Sequence, residues 1–483
     1  MEQTTSTRSS TLALLLLVFF GGMANLATEI IGPRMFASMY GSATAIWAVI
    51  ISVTLVGLSI GYAMGGRIPS ARAPRVLPFV LVLNAVYLLV VSWLVWGIPA
   101  IAAPYVDIWL IGTTATAAFL LPSILFGMLT PLSITLASRG RTHDETTTIV
   151  GNLYALGTVG GVIGALSAAY FWIPVVGLSL SLRIFAFALV GFAVYFYRSE
   201  WRGLAALAAV IWIIPQPNWV WATDDDLRLV AQSEGYYQTV RVYTDDETFI
   251  QMHLGPTFQS KMWLDTMEPA YDYAATMIDL TDEQFPDMSG RRALVLGGAG
   301  HTMAHALENR GATVTEVEID PVIVELSDEY FGEIDGDVVI TDARAYVNAA
   351  PDDEFDVILF DAFDSGTGIP AQLTTREYFA EISRVLKPDG VYISNFIGSP
   401  QGRQSDAYSA VTSTMVDGFA TTGAYFTRED ASVRQNILLV ASPAELELAG
   451  SQPLPADGRI LTDDRNPVEV LFEQARNGLY FRR

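Results

Sequence analysis

Seven apolar stretches occupy the first 222 residues, near 11–31, 43–64, 77–98, 108–137, 147–173, 178–197 and 203–222, and they constrain the fold more than any other feature. About 20 apolar residues are what a helix needs to cross a hydrocarbon core of ~30 Å. In lipid every backbone N–H and C=O must be satisfied within the segment, which leaves helices as the answer for runs of this kind. The sequence therefore predicts a polytopic α-helical membrane domain over 1–222 with six to seven spans. The first stretch is too long for the apolar core of a signal peptide, and more spans follow it, so it reads as an anchor. The seventh carries Pro215, Pro217, Trp212, Trp219 and Trp221. It either spans or lies at the interface as an aromatic belt.

Arginines fall in alternate loops: Arg67, Arg72 and Arg75, then Arg139 and Arg141, then Arg198 and Arg202. The positive-inside rule places these loops, and the N-terminus, in the cytoplasm. Glu29, five residues before Arg34, reads as an interfacial pair that fixes orientation. Gly151, Gly157, Gly160, Gly161 and Gly164 give the fifth span a small-residue face for close helix packing.

The composition changes sharply at Asp224. Residues 1–222 hold 10 Lys+Arg against 6 Asp+Glu, and the remainder 18 against 45. Lys261 and Lys387 are the two lysines of the chain. An acidic, lysine-poor soluble half suits very high salt, so a halophilic source is expected. The same charge disfavours nucleic acid as a partner. With no cysteine, disulfides, thiolate metal sites and Cys nucleophiles are excluded. His301 and His305 stand i, i+4, a spacing that can hold zinc. No third ligand lies near them in sequence, so they read as structural, and no metal is expected.

Between Ala293 and Asp364 the pattern is α/β. ALVLGGAG is a buried strand running into a glycine-rich turn, HTMAHALENR a helix, and TVTEV a second strand ending at Glu318. Glycines at such a turn let backbone approach a nucleotide, and an acid ~20 residues later can accept from ribose hydroxyls. Glu318 lies 21 positions after Gly297. Taken from Gly298, the GxGxxG pattern has Met303 in place of its third glycine. VVITDARAYV then puts Asp342 at the end of a third strand, and FDVILFD puts Asp361 at the end of a fourth. Asp364 lies in the loop beyond. Open α/β sheets bind ligands at this edge. GVYISNF is a fifth strand, and AYFTRED with QNILLVAS an antiparallel pair. Upstream, AQSEGYYQTVRVY and TFIQMHL read as β-hairpin strands of a small subdomain that, together with the segment EPAYDYAATMI after it, makes up 223–285, leaving 286–483 for the larger domain.

The motifs GGAG, VEID, TDA, FDAFD and LTTREYF, in this order, resemble the catalytic core of the spermidine synthase (aminopropyltransferase) family, a variant of the AdoMet-dependent methyltransferase fold. IPAQLTTREYF and LTDDRNPVE are closer to its membrane-fused branch. A looser likeness extends to ATEIIGPRMFASMYGSA and GNLYALGTVGGVIGAL in the apolar half. The resemblance implies a Rossmann-like domain behind a small β-subdomain, with decarboxylated S-adenosylmethionine, or S-adenosylmethionine itself, as donor. It implies donor contacts from Gln238, Gly297, Gly298, Gly300, Glu318, Asp342 and Ala343. It implies acceptor contacts from Tyr271, Asp272 and Asp364, with Asp361 as proton acceptor. The implied partners are a small amine acceptor and the lipid bilayer, with a homo-oligomer allowed.

Two departures concern the acceptor. Gly300 stands where the family's glycine loop carries an Asp, and Asp272 where it has His or Gln. Gly368 also replaces the family's proline after the DxxD loop, with Pro370 two residues on. Asp361 and Asp364 then supply one end of the groove only, which predicts an acceptor other than putrescine unless Asp272 restores the missing acid. Methyl transfer to another substrate and a non-catalytic scaffold are the competing readings. Seven complete spans would put the soluble half outside the cell, and six plus an interfacial seventh would put it inside. A donor made in the cytoplasm favours inside.

Overall fold

The computed structural model describes residues 2–40, 44–102, 108–196, 227–235, 237–255, 257–363, 368–402 and 405–472. The chain divides into two compact units, Met1–Val220 and Trp221–Arg483. The seventh apolar stretch lies outside the described residues.

The first unit is helical: α1 (Glu2–Tyr40), α2 (Thr44–Gly66), α3 (Ala73–Ala102), α4 (Ile108–Ala115), α5 (Leu121–Ala137), α6 (His143–Ser167) and α7 (Leu178–Phe196). A π-helical turn, Thr116–Leu120, joins α4 to α5, and another, Ala168–Val176, extends α6. Among the described residues, six helical stretches are long and apolar enough to cross a membrane: Thr11–Phe36, Ile46–Gly66, Ala73–Val95, Leu110–Ala137, His143–Ile173 and Leu178–Phe196. Large apolar side chains such as Leu55, Phe79 and Leu166 are exposed on the outside of this unit, as expected where the surrounding solvent is lipid. A capping box starts α6: the Glu145 N–H donates to Thr142 Oγ1, and the Thr142 N–H to Glu145 Oε2. The glycines act by close approach. A β-carbon at Gly22, Gly160 or Gly164 would lie 2.1 Å from a carbonyl oxygen of the facing helix, so α1 and α6 meet backbone to backbone. Glu29 is buried and hydrogen-bonded with Thr54 of α2.

The second unit begins with an antiparallel sheet in chain order: β1 (Arg228–Glu234), β2 (Thr239–Thr244), β3 (Phe249–Leu254) and β4 (Thr257–Trp263). One face of it, Val240, Val242, Ile250, Met252 and Met262, packs on Ile323, Leu326 and Phe331 of the larger domain. Helix α8 (Asp272–Gln284) follows. Its Ala274, Met277 and Ile278 pack against Val295, Met303 and Val357. Within the stretch 223–285, helix α8 thus contributes to the core of the larger domain.

That domain is a seven-stranded sheet of β5 (Arg292–Leu296), β6 (Thr313–Glu318), β7 (Asp337–Ile340), β8 (Phe355–Phe360), β9 (Leu386–Gly398), β10 (Thr421–Phe426) and β11 (Gln435–Ser442). The order is β10-β11-β9-β8-β5-β6-β7. The run from β9 to β7 is parallel, and β11 and β10 are antiparallel additions. Its helices are α9 (Thr302–Asn309), α10 (Pro321–Phe331), α11 (Ala343–Ala349), α12 (Arg376–Val385) and α13 (Asp406–Val416). ALVL and VILF are continuous apolar runs because both faces of a parallel sheet are covered. Leu294, Ile358 and Tyr392 feed one core, and Val295, Leu359 and Ile393 the other. Strand order reverses between β5 and β8, and that switch point is where such sheets bind ligands.

Candidate active site

The switch point is assembled from two strand ends that touch. Gly297 follows β5 with φ +97°, and a β-carbon there would lie 2.7 Å from the carbonyl oxygen of Asp361, the residue after β8. Only glycine meets both conditions at once. The Asp361 N–H donates to Leu296 O (2.9 Å) and the Gly297 N–H to Val317 O (3.0 Å), which locks the ends of β8, β5 and β6 in register.

Glu318 closes β6 and is buried. Its Oε2 accepts from the Gly298 N–H (3.2 Å), and its Oε1 accepts from the N–H groups of Ile319 (2.7 Å) and Asp320 (3.0 Å). Burial pushes its pKa up to about 7, held back by these backbone donors. A carboxylate offers about four acceptor sites, so capacity remains for a ligand hydroxyl. Asp342 is the N-cap of α11, and its Oδ1 accepts from the Ala345 N–H (3.1 Å). Ala343 is the first residue of that helix. Gln238 is buried just before β2 of the small sheet, with Oε1 unpartnered. The turn before it is pinned by Asp320, whose Oδ2 accepts from the Tyr237 N–H (3.1 Å) and whose Oδ1 caps α10 at Val322 (3.0 Å).

Asp361 is held from both sides. Its Oδ1 accepts from Asn395 Nδ2 on β9 (2.8 Å) and its Oδ2 from the Tyr273 hydroxyl on α8 (2.9 Å). Asn395 Oδ1 in turn accepts from Asn436 Nδ2 (3.0 Å). Burial raises the Asp361 pKa to about 6, and the two donors limit the rise. A carboxyl poised there changes protonation near neutral pH, as a general base must.

A narrow cleft opens on this carboxylate. Tyr271, Tyr273, Gly297, Gly298, Ser260, Glu316 and Asp361 line it. The rings of Tyr271 and Tyr273 stack, with centroids 6.0 Å apart. Of the acceptor residues named from sequence, Tyr271 lies in the cleft. Asp272 does not line it and is exposed at the start of α8, because helical rotation turns position 272 away and brings Tyr273 in. Asp364 lies outside the described residues. Gln238, Glu318, Asp342 and Ala343 lie outside the cleft, at the small-sheet turn and the ends of β6 and β7.

Sequence reasoning missed Tyr273, Asn395 and a buried relay on β6. The Glu316 side chain fills the space left by Gly298, where a β-carbon would lie 2.1 Å from Glu316 Oε1. Glu316 Oε1 is 2.6 Å from His301 Nδ1, and His301 Nε2 is 3.1 Å from Asp328 Oδ1. Burial opposes the His301 imidazolium, but the bonds and charges of Glu316 and Asp328 outweigh it and its pKa is raised. The signal was present: an acid at the middle of a parallel strand, two residues from Glu318, is rare unless paired. His305 Nε2 lies 3.0 Å from Gly332 O.

The missing acid at Gly300 also has a geometric cause. Gly300 has φ +69°, and a β-carbon there would lie 2.4 Å from Ser260 Oγ and 2.9 Å from the Phe331 ring. Position 300 has no room for a carboxylate. Glu316 brings a carboxyl into the cleft from β6.

Parts of the chain are similar to known proteins. Residues 272–417 match the family described as the spermine/spermidine synthase domain. The chain is 30% identical over 240 residues to a probable polyamine aminopropyl transferase of Bifidobacterium longum, covering 42% of this chain and 52% of that one. It is 25% identical over 457 residues to polyamine aminopropyltransferase 1 of Streptomyces coelicolor, covering 86% and 81%. A shorter stretch of 115 residues is 36% identical to the N-terminal histidine N-methyltransferase of Emericella nidulans, covering 23% and 20%. The chain thus spans about half the length of the Bifidobacterium relative.

Proposed function

We propose that this chain, whose residues 272–417 carry a spermine/spermidine synthase domain, transfers an aminopropyl group from decarboxylated S-adenosylmethionine to a small amine. The observation that carries the reading is the carboxyl of Asp361, held between Asn395 and Tyr273 and facing a cleft walled by stacked tyrosines. The acceptor nitrogen attacks the carbon next to the sulfonium, a C–N bond forms, the C–S bond breaks, and methylthioadenosine leaves. The proton shed by the new ammonium passes to Asp361, which must be ionised beforehand. Tyr271 and Tyr273 orient the acceptor and exclude water, and orientation supplies much of the rate. Glu318 accepts from the ribose hydroxyls, Asp342 and Ala343 meet the adenine, and Gln238 meets the aminopropyl end.

Methyl transfer from S-adenosylmethionine is the second reading, favoured by the methyltransferase relative. Against it stands the charge of the cleft, where Asp361 and Glu316 would repel the carboxylate that the decarboxylated donor lacks. The six apolar helices support a multi-pass membrane protein. With arginine-rich loops and N-terminus inside, an even number of spans puts the soluble unit in the cytoplasm. Calorimetry on the full chain in detergent separates the readings. Preference for the decarboxylated donor, with methylthioadenosine released on adding amine, is the expected result. Preference for S-adenosylmethionine supports methyl transfer, and binding of neither would leave a scaffold.

A further inference from the structure

We infer that the helical unit holds a binding site, at mid-membrane depth, for a neutral carbonyl-bearing lipid, with prenyl quinones and diacylglycerols as the two sources of that chemistry. The inference rests on the membrane-spanning reading of the six apolar helices and is independent of the chemistry at Asp361. Two helix pairs are drawn tight by glycine. A β-carbon at Gly22 of α1 would lie 2.1 Å from Gly157 O of α6, and one at Gly61 of α2 would lie 2.1 Å from Ile124 O of α5. All four helices line one cavity of about 440 Å³, which is the size of a small-molecule site. Leu58, Phe126 and Leu153 make its walls apolar, and the exposed Tyr62 and Tyr154 mark where it opens to the outer surface.

Asn25 points to a ligand. It lines the cavity at 6% exposed, and its side-chain amide has no hydrogen-bond partner among the described residues. It stands 14 residues after Thr11 and 11 before Phe36, the ends of its span. At 1.5 Å per residue those lengths are roughly 21 and 17 Å, which sets Asn25 near the middle of the bilayer. Hydrocarbon offers an amide no hydrogen bond, and leaving one unpaired there is costly.

The lining selects the occupant. No Asp, Glu, Lys, Arg or His lines the cavity, so a charged headgroup would lie in it unpaired. The ester carbonyls of a phospholipid are tethered to a phosphate at the edge of the hydrocarbon core, about 15 Å from its middle. The tails that do reach Asn25 carry no acceptor. A neutral lipid lacks the tether and can bring its carbonyl to the midplane. There Asn25 Nδ2 donates to it, and the hydroxyls of Thr130, Tyr62 and Tyr154 are further donors.

The test uses the full chain in detergent micelles, with short-tailed menaquinone, dioleoylglycerol and dioleoylphosphatidylcholine as probes and bound lipid read by native mass spectrometry. One saturable equivalent of menaquinone or of dioleoylglycerol is expected, and the probe retained in competition identifies the source. Asn25→Leu should weaken that binding ~3- to 10-fold, the loss of one hydrogen bond. Ala165→Phe, which fills the cavity from α6, should abolish it. Retention of neither neutral lipid overturns the inference. Equal retention of phosphatidylcholine also overturns it, because the cavity would then hold bulk lipid only. Affinity unchanged by Asn25→Leu does the same. Should Asn25→Leu fail to fold, Ala165→Phe decides, and undiminished binding in that variant overturns the site. The two readings fail separately. Release of the chain from membranes by carbonate washing would sink the spanning reading. A chain kept in the membrane without bound neutral lipid would sink this site alone.

Discussion

The Tyr273 hydroxyl donates to Oδ2 of Asp361 across 2.9 Å, joining the first turn of α8 to the end of β8. The two residues are 88 positions apart. The bond sets both the orientation of the carboxylate and, with Asn395, how far burial can raise its pKa. Tyr273 is itself half-buried, and burial, then the charge of Asp361, pushes its own pKa well above the phenolic value. It therefore stays a donor throughout the range in which Asp361 titrates.

Asp361→Asn keeps the shape of the side chain and removes its ability to take a proton. Donor affinity should change little, and turnover with the preferred amine should fall by ~10²-fold or more. Full turnover in this variant would exclude Asp361 as the base.

Tyr273→Phe should move the pH profile. The rate requires ionised Asp361, so kcat/KM rises as pH passes upward through the Asp361 pKa of about 6. The phenol hydrogen bond favours the ionised form. Its removal raises the pKa and displaces the acid limb to higher pH, by ~1 pH unit for one bond to a charged group. An acid limb that stays in place would show that Asp361 does not set it.

Glu318→Ala removes the acid proposed for the ribose and leaves the Gly298 N–H without its partner. Donor affinity should drop by ~2–3 kcal/mol, the scale of hydrogen bonds to a charged group. Calorimetry giving unchanged affinity would place the ribose elsewhere.

In the helical unit, Gly160→Val puts a β-carbon where Phe19 O already lies 2.1 Å away. Helices α1 and α6 must separate, at a cost of ~1–3 kcal/mol typical of overpacking. Gly151→Ala is the control, since nothing lies within 4 Å of its added carbon. Thermal unfolding in detergent should separate the two variants. Equal midpoints would mean that the glycine face does not bear on packing.

The amino-acid sequence by itself determined the elements. Helices long enough to span a membrane are written in runs of apolar residues, and strands β5, β6 and β8 in ALVL, TVTEV and FDVILF, because length and periodicity are local properties. The spacing from Gly297 to Glu318 was legible for the same reason: one helix and one strand of ordinary length separate two adjacent strand ends. Tertiary structure alone decided which side chains meet. Tyr271, Asp272 and Tyr273 are consecutive, and only the docking of α8 on the sheet brings the two tyrosines to the cleft and leaves Asp272 in solvent. Glu316 looks like a misplaced charge until Gly298 lies above it and His301 beside it, 15 residues away. Asn395 reaches Asp361 across 34 residues because β9 is the parallel neighbour of β8. Such contacts depend on strand order and on which way each face turns, and neither is encoded in any short stretch of chain.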